Sequence, residues 1–232
     1  MKKIMTIALT LMLILSISES MAQEDMKYLF GGGDKKVSVS GFGAILNEFS
    51  AVDNDFAFLM GGGGAVLINQ RYFFGGYGMG LTTGLQKNYL RYDYNLERNV
   101  YSPDLHTRFG HGGFWLGYIH NSHNLIHWGA NMKIGWGAVT LSDLKYSSSD
   151  YQWNSYASDN VFVVTPQVDM GVNLLKWMRI NVGVGYRLVT GVDKTYYQMG
   201  DDGNLHEMEY FDNNAFSNFE GSVTLAFGGF SN

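Results

Sequence analysis

His120, His123 and His127 form the densest group of potential metal ligands in the sequence. On a helix, spacings of three and four residues would place the three imidazoles on one face, where they could bind a metal ion. The residues between them are mostly Asn and Ser, which are typical of a solvated turn. In a turn between two strands, His120 and His127 leave on different strands. We therefore predict no metal site here.

A second group could support acyl transfer or hydrolysis. His106 and His111 precede a serine run over 147–149, and such enzymes need a nucleophile within hydrogen-bond reach of a base. However, no nucleophile-elbow motif is present, and no glycine-rich run continues into the Lys-Ser/Thr pair of a phosphate-binding loop. We therefore predict no catalytic residues and no cofactor, and a lipid-modifying enzyme stays as an alternative.

The composition limits the folds that could position these groups. The 232 residues include 30 glycines, 2 prolines and no cysteine, so disulfide scaffolds and thiolate metal sites are excluded. A mean hydropathy of −0.10 excludes a bundle of membrane helices, since each of these needs about 20 apolar residues in a row. The net charge of −5 disfavours nucleic acid as a partner, because its phosphates are bound by Lys and Arg.

The first 22 residues have the three parts of a cleavable signal peptide. Lys2 and Lys3 give a cationic start, an apolar run extends from Ile4 to Ile17, and the small residues Ser20 and Ala22 occupy the positions that a signal peptidase reads. The apolar run is too short to span a bilayer as a helix. We therefore expect the mature chain outside the cytoplasm.

Beyond residue 35 the hydrophobic pattern has the two-residue period of β-strands. Over 162–174 every second residue is apolar, whereas the intervening positions include Gln167 and Asp169. The segments 178–188 and 219–227 repeat this pattern. Each segment therefore has one apolar face and one face of polar residues and glycine.

Segment length and connection length indicate a membrane barrel rather than a soluble sandwich. The segments are longer than the about 5 or 6 residues of strands in soluble domains, and longer than the about 9 to 11 needed to cross a bilayer. Short connections alternate with long polar loops over 87–104, 142–159 and 191–214, although the outer connection near 50–54 is short. This alternation with an even strand number is typical of transmembrane barrels. The eight predicted strands cover 36–49, 55–69, 71–86, 105–120, 125–141, 160–174, 177–190 and 215–230.

Trp128 and Trp136 lie on the same face of the fifth predicted strand. At about 3.3 Å per residue and a tilt near 40°, they are separated by roughly 20 Å along the membrane normal. Because the apolar band of a barrel is about 25 Å tall, we predict that the two indoles belong to aromatic girdles at opposite interfaces. Burial of both rings in a soluble core is the alternative.

Two positions depart from a simple strand pattern. Pro166 lies in the middle of a predicted strand and removes a ladder hydrogen bond, so we expect a bulge there. In the fourth predicted strand, either of two sets could face the lipid. One set is Phe109, Trp115 and Ile119, and the other is Phe114, Leu116 and Tyr118.

With this pattern, the chain resembles the small, eight-stranded outer-membrane β-barrel proteins of Gram-negative bacteria. The resemblance covers 36–230 and rests on the strand pattern rather than on a sharp motif. It implies a signal peptide over 1–22, a short periplasmic segment over 23–35 and a closed antiparallel up-and-down barrel over 36–232. It also implies insertion by the barrel-assembly machinery and contact with outer-membrane lipid and lipopolysaccharide. Many members end on an aromatic residue, whereas here Ser231 and Asn232 follow Phe230.

Several ionisable residues fall on the inward parity of the predicted strands. Charges inside a narrow barrel are costly unless they are paired, and an eight-stranded lumen has room for little more than side chains. We therefore predict an ion-pair network that fills the lumen, with a narrow pore for small solutes as the alternative. The predicted network consists of Lys133, Asp169, Arg179, Arg187 and Glu220.

The long loops are rich in aromatic residues, and the last of them is acidic. Tyrosine is favoured at recognition surfaces, although the same rings could simply brace strand extensions above the membrane. We predict a structural or surface-interaction role without catalysis, with an unidentified extracellular ligand. The candidate recognition residues are Tyr92, Tyr94, Tyr151, Trp153, Tyr156, Tyr196 and Tyr197.

Overall fold

Long antiparallel strands dominate the fold. The computed structural model describes residues 37–147, 150–212 and 214–230, with the backbone alone for residue 103, 144–147 and 150–154. Within these ranges no helix is long and apolar enough to cross a membrane. The strands are β1 (Val39–Val52), β2 (Asp55–Ile68), β3 (Tyr72–Leu81), β4 (Leu85–Asp93), β5 (Arg98–His120), β6 (Ile126–Ser147), β7 (Asp150–Leu175), β8 (Met178–Thr190), β9 (Thr195–Met199), β10 (Leu205–Glu209) and β11 (Asn218–Gly228).

Eight of these strands form a closed ring. The order around it is β1, β2, β3, β5, β6, β7, β8 and β11, and β11 pairs with β1 from Phe42 opposite Gly228 to Phe49 opposite Gly221. Closure leaves no row of unpaired backbone groups, which hydrocarbon could not satisfy. The predicted eight-stranded antiparallel up-and-down barrel is confirmed. The predicted signal peptide over 1–22 and the segment over 23–35 lie outside the described residues.

The predicted loops over 87–104 and 142–159 are largely wrong, because both segments are mostly strand. β4 continues the line of β3 beyond residues 82–84 and pairs with the outer part of β5. β6 and β7 stay paired as far as Ser147 opposite Asp150. These extensions carry polar residues because both of their faces lie beyond the apolar band, and a polar strand resembles a loop in sequence.

The expected bulge at Pro166 is also wrong. Pairing between β7 and β8 lapses at 165–166, but the register is the same on both sides of the gap, with Val164 opposite Leu188 and Gln167 opposite Gly185. Pro166 faces outward and lacks only its own N–H, so the strand passes the site without an extra residue. The register of β7 shifts at two other places. One shift lies opposite Leu141 and Ser142 of β6, and the other lies between Asn173 and Leu175, where β7 pairs with β8.

Side chains alternate between the outside and the lumen along the ring. On β5, Phe109 and Trp115 are buried inside, whereas Phe114 and Leu116 face outward, which resolves the facing that the sequence left open. The lumen accepts these large rings because inward glycines lie beside them. A Cβ on Gly117, for example, would lie within 2.6 Å of the ring of Phe73.

Candidate functional site

Four charged side chains from four strands meet in the middle of the lumen. Lys133 of β6 donates to Oε1 of Glu48 on β1 and, at 2.9 Å, to Oε1 of Gln167 on β7. Arg187 of β8 lies 3.6 Å from Glu220 of β11, which is 3.9 Å from Nζ of Lys133. Two cations and two carboxylates therefore face one another away from solvent, and their mutual attraction offsets part of the cost of burying them.

The structure brings four of the five predicted network residues together. Lys133, Arg187 and Glu220 meet directly, and Asp169 is joined to Lys133 through Gln167, whose amide donates to Asp169 and whose Oε1 accepts from Lys133. Arg179 lies at the inner end, the end with the short turns. There its Nη2 donates to the carbonyl of Ser122 at 3.1 Å.

Sequence reasoning missed Glu48, which is the main partner of Lys133. The sequence pattern could have indicated it, because Glu48 shares one parity of β1 with the apolar residues Ala44 and Leu46. In the structure all three side chains are buried. Sequence reasoning also missed Tyr77 and His111, which form a 3.0 Å hydrogen bond between the Tyr77 hydroxyl and Nδ1 of His111 inside the barrel. Strand parity predicts the direction of such residues but not which of them meet across the lumen.

On the outer side of the ion pairs, an apolar layer fills the lumen. The ring of Phe216 packs on Phe109 and Phe211 at centroid distances of 5.2 and 5.0 Å. The backbone carbonyl of Phe216 also accepts a hydrogen bond from Nε of Arg187 at 3.0 Å, which joins this layer to the charged one. Other buried members of the layer are Leu105, Leu141, Val163 and Val189.

Beyond the apolar layer, the β4/β5 hairpin (residues 85–105) and residues 194–212 cover the mouth of the barrel. We call these two segments together the outer cap. Asn99 connects the two segments through two hydrogen bonds of 2.8 Å. Its side-chain amide donates to the carbonyl of Met199, and its Oδ1 accepts from the backbone N–H of Met199. The hydroxyl of Tyr89 donates to the carbonyl of Tyr210 at 2.8 Å, and the ring of Tyr196 packs on that of Tyr210 at 4.8 Å.

Burial raises the pKa of Tyr89 and of Tyr210 above the ordinary value of 10.0, so these phenols stay neutral and can donate hydrogen bonds over the physiological range. In the exposed turn of the β9/β10 hairpin, hydrogen bonds from Asn204 and His206 hold the pKa of Asp202 well below its usual range. The outer cap therefore combines a neutral, buried tyrosine cluster with an acidic, exposed edge.

The predicted recognition residues fall into three groups. Tyr156 and Tyr196 are half-buried and brace the cap, with the guanidinium of Arg91 4.5 Å from the ring of Tyr156. Tyr94 is 64% exposed and Tyr197 is 42% exposed, while the half-buried Tyr92 packs edge-on against Tyr94. For Tyr151 and Trp153, on the outer extension of β7, only the backbone is described.

The two predicted girdle tryptophans both point out of the barrel, with Trp128 54% and Trp136 58% exposed. Trp136 lies among Phe114 and Phe162, and Trp128 stacks on His120 at 4.9 Å. These rings flank a band of apolar residues that would be unstable in contact with water. Members of the band include Phe74, Met132, Ile134, Val168, Met170, Val182 and Val184.

The histidines do not converge on a metal or catalytic site. His127 points into the lumen and His120 lies on the outside, and within the described ranges no group of three potential ligands could hold a metal ion. His111 is inside the barrel, whereas His106 contacts Gln86 on the outer surface. Of the serine run over 147–149, residues 148 and 149 lie outside the described residues.

A closed eight-stranded ring with an apolar exterior, outward aromatic rings and a polar lumen defines a transmembrane β-barrel of the outer-membrane type. The outer membrane is therefore the location of the protein, as predicted.

No family model matches the chain, and no curated protein matches it. Among solved structures, Neisserial surface protein A is similar at 9% identity and a TM-score of 0.47, over 85% of this chain and 100% of that chain. A major outer membrane protein from Thermus thermophilus is similar at 8% identity and a TM-score of 0.45, over 81% of this chain and 98% of that one. The attachment invasion locus protein of Yersinia pestis, solved with the heparin analogue sucrose octasulfate, is similar at 11% identity and a TM-score of 0.39, over 82% and 96% of the two chains. These similarities say nothing of what the present chain binds or does.

Proposed function

We propose that the protein is a closed outer-membrane scaffold that presents its outer cap to a partner outside the cell. One observation carries the proposal: the lumen is sealed by packed side chains, while the cap above it is braced by its own hydrogen bonds and exposes aromatic rings. A rigid platform loses little conformational entropy when it binds, which favours recognition. Outer-membrane lipid, lipopolysaccharide and the assembly machinery are further proposed partners.

The narrow-pore alternative is disfavoured by the contents of the lumen. Arg187 and Phe216 are almost completely buried, and Lys133 of β6 crosses the lumen to Glu48 on the opposite strand, β1. A conducting path would have to separate the buried charges from one another, which is strongly unfavourable. The apolar layer on the outer side adds a second barrier to water.

The enzyme alternative is disfavoured by the direction of its candidate residues. His106 and His111 lie on opposite faces of β5, so the two imidazoles cannot act on one substrate. His111 is also enclosed by the lumen and bonded to Tyr77.

The charge of the cap limits the chemistry of its partner. The β9/β10 hairpin exposes Asp201, Asp202, Glu207 and Glu209, and Tyr197 and Met208 are exposed beside them. A partner with basic groups around an apolar contact would complement this surface. A sulfated ligand, such as the sucrose octasulfate in the Yersinia structure, would be repelled by the acidic hairpin.

The test displays the barrel on cells and measures its binding to a panel of purified extracellular proteins that range from acidic to basic. In the cap variant, Tyr94, Tyr197 and Tyr101, which is 58% exposed on the outer part of β5, are replaced by Ser. A matched control replaces Phe74, Phe114 and Val184 of the lipid-facing band by Leu. We expect binding to a basic member of the panel, at least tenfold weaker for the cap variant and unchanged for the control. Identical binding by wild type and cap variant across the panel would falsify the recognition role.

A further inference from the structure

The inner half of the lumen contains a partly open cavity of about 40 Å³. Aromatic side chains form one side of it, and Phe230, folded in from the end of the described chain, contributes to that side. Polar side chains of β6, β7 and β8 form the other side. The polar lining includes His127, Asn131, Asp169 and Arg179.

Arg179 has an unusual environment for a buried arginine. It is 1% exposed, and its single hydrogen bond within the described part of the chain runs from Nη2 to Ser122. Nε and Nη1 have no partner there, and no carboxylate forms an ion pair with the guanidinium, in contrast to Arg187, which faces Glu220. The ring of Phe230 covers the guanidinium at 4.1 Å. A buried cation without a counter-charge is strongly destabilising, and such a group calls for a bound ion or water.

Of the Lys and Arg side chains that line the cavity, Lys133 is paired with Glu48, and Arg179 lacks a carboxylate partner in the described part of the chain. Asp169 keeps its negative charge, and both of its oxygens accept hydrogen bonds from amides. His127 is 5% exposed, and its Nδ1 has no partner among the described residues. An anion near Arg179 could therefore accept hydrogen bonds from the guanidinium and from the imidazole when Nδ1 carries a proton.

We propose that this cavity is a binding site for a small monovalent anion, with a carboxylate of the size of formate as the best fit. A water molecule needs about 10–15 Å³ on this scale, so the cavity has room for roughly three water-sized groups. A guanidinium matches a carboxylate in shape and charge. The presence of Asp169 in the same lining disfavours anions of higher charge.

The experiment uses the full barrel refolded in detergent and titrated with ¹³C-formate at constant ionic strength. Sodium gluconate, whose carboxylate is too large for the cavity, supplies the balance of salt. We expect saturable broadening of the formate NMR signal, and at least tenfold weaker binding in Arg179→Met. The matched control is Arg71→Met, which removes an exposed guanidinium at the same end of the barrel and should leave formate binding unchanged.

A second variant keeps the proposal testable if Arg179→Met does not fold. Thr224 lines the cavity from β11, so Thr224→Leu fills the space without changing any charge. Loss of formate binding in Thr224→Leu supports the site, and unchanged binding in that variant overturns it. Absence of saturable binding in the wild type overturns it as well.

Discussion

Nη1 of Arg187 lies 3.6 Å from Oε2 of Glu220 at the centre of the barrel, where both side chains are shielded from solvent. The two residues belong to neighbouring strands, β8 and β11, and complete a cluster with Lys133 and Glu48. The cluster is neutral as a whole, so each charge depends on the others to remain buried.

Glu220→Gln should therefore lower the free energy of unfolding by roughly 3–5 kcal/mol, because it leaves Arg187 without its counter-charge in the lumen. The measurement is urea unfolding in lipid bilayers, followed by the heat-modifiable mobility of the barrel on gels. Glu209→Gln in the exposed β9/β10 hairpin is the control and should shift stability by less than about 0.5 kcal/mol. Equal stability of the two variants would contradict a structural role for the cluster.

The packed lumen predicts that the wild-type protein gives no steady conductance in planar bilayers. Water and ions cannot pass Phe216 and the ion pairs without disrupting them. A steady conductance that changes with Arg187→Ala would instead support the narrow pore. A barrel of known conductance, inserted under the same conditions, controls for reconstitution.

Gly135→Ala should prevent formation of a folded barrel. An added Cβ would lie 2.6 Å from the carbonyl oxygen of Gly112 and 2.7 Å from the hydroxyl of Tyr77, and the paired strands cannot move apart without breaking the ring. Gly78→Ala is the matched control, since nothing lies within 4 Å of its added Cβ. Gel mobility after refolding compares the two, and normal folding of Gly135→Ala would show that the lumen is less tightly packed than described.

Asn99→Ala should release the β9/β10 hairpin from the β4/β5 hairpin. The variant loses both side-chain hydrogen bonds to Met199, which at about 1 kcal/mol each favours local opening by roughly tenfold or more. Limited proteolysis of the turn over 200–204 measures the opening. Asn95→Ala, in the exposed turn after β4, should leave the cleavage rate at the wild-type level. Equal cleavage rates for the wild type, Asn99→Ala and Asn95→Ala would show that Asn99 does not hold the two hairpins together.

The outer cap should loosen at alkaline pH while the barrel stays closed. Because the folded-state pKa of Tyr89 is raised by burial above 10.0, its stabilising effect is complete below the unfolded-state pKa and is lost as the pH rises through the folded-state value. The rate of proteolysis of the cap, measured between about pH 9 and 12, reports this loss. Tyr89→Phe should show a weaker pH dependence, at the expense of about 1 kcal/mol for the lost hydrogen bond. Tyr94→Phe, with an exposed ring, should follow the wild-type profile.

The sequence alone determined the number of strands in the ring, their up-and-down order and, except for β5, the side of each strand that meets lipid. These features follow from local causes, since a two-residue period and the spacing of turns are properties of short segments. The outward direction of Trp128 and Trp136 and the inward direction of charges such as Lys133 and Glu220 could be predicted for the same reason.

Only the tertiary structure decided which inward residues meet. Glu48 and Lys133 come from strands far apart in the sequence, and their contact depends on the register around a closed ring, to which every strand contributes. On β5 both parities carry large aromatic rings, so the burial of Trp115 depended on space that other strands leave in the lumen, such as that beside Gly63 of β2. The strand extensions at the outer end were predicted as loops, because a strand beyond the membrane is polar on both faces and resembles a loop in sequence. Pairing between distant segments is the physical property that a local pattern cannot encode.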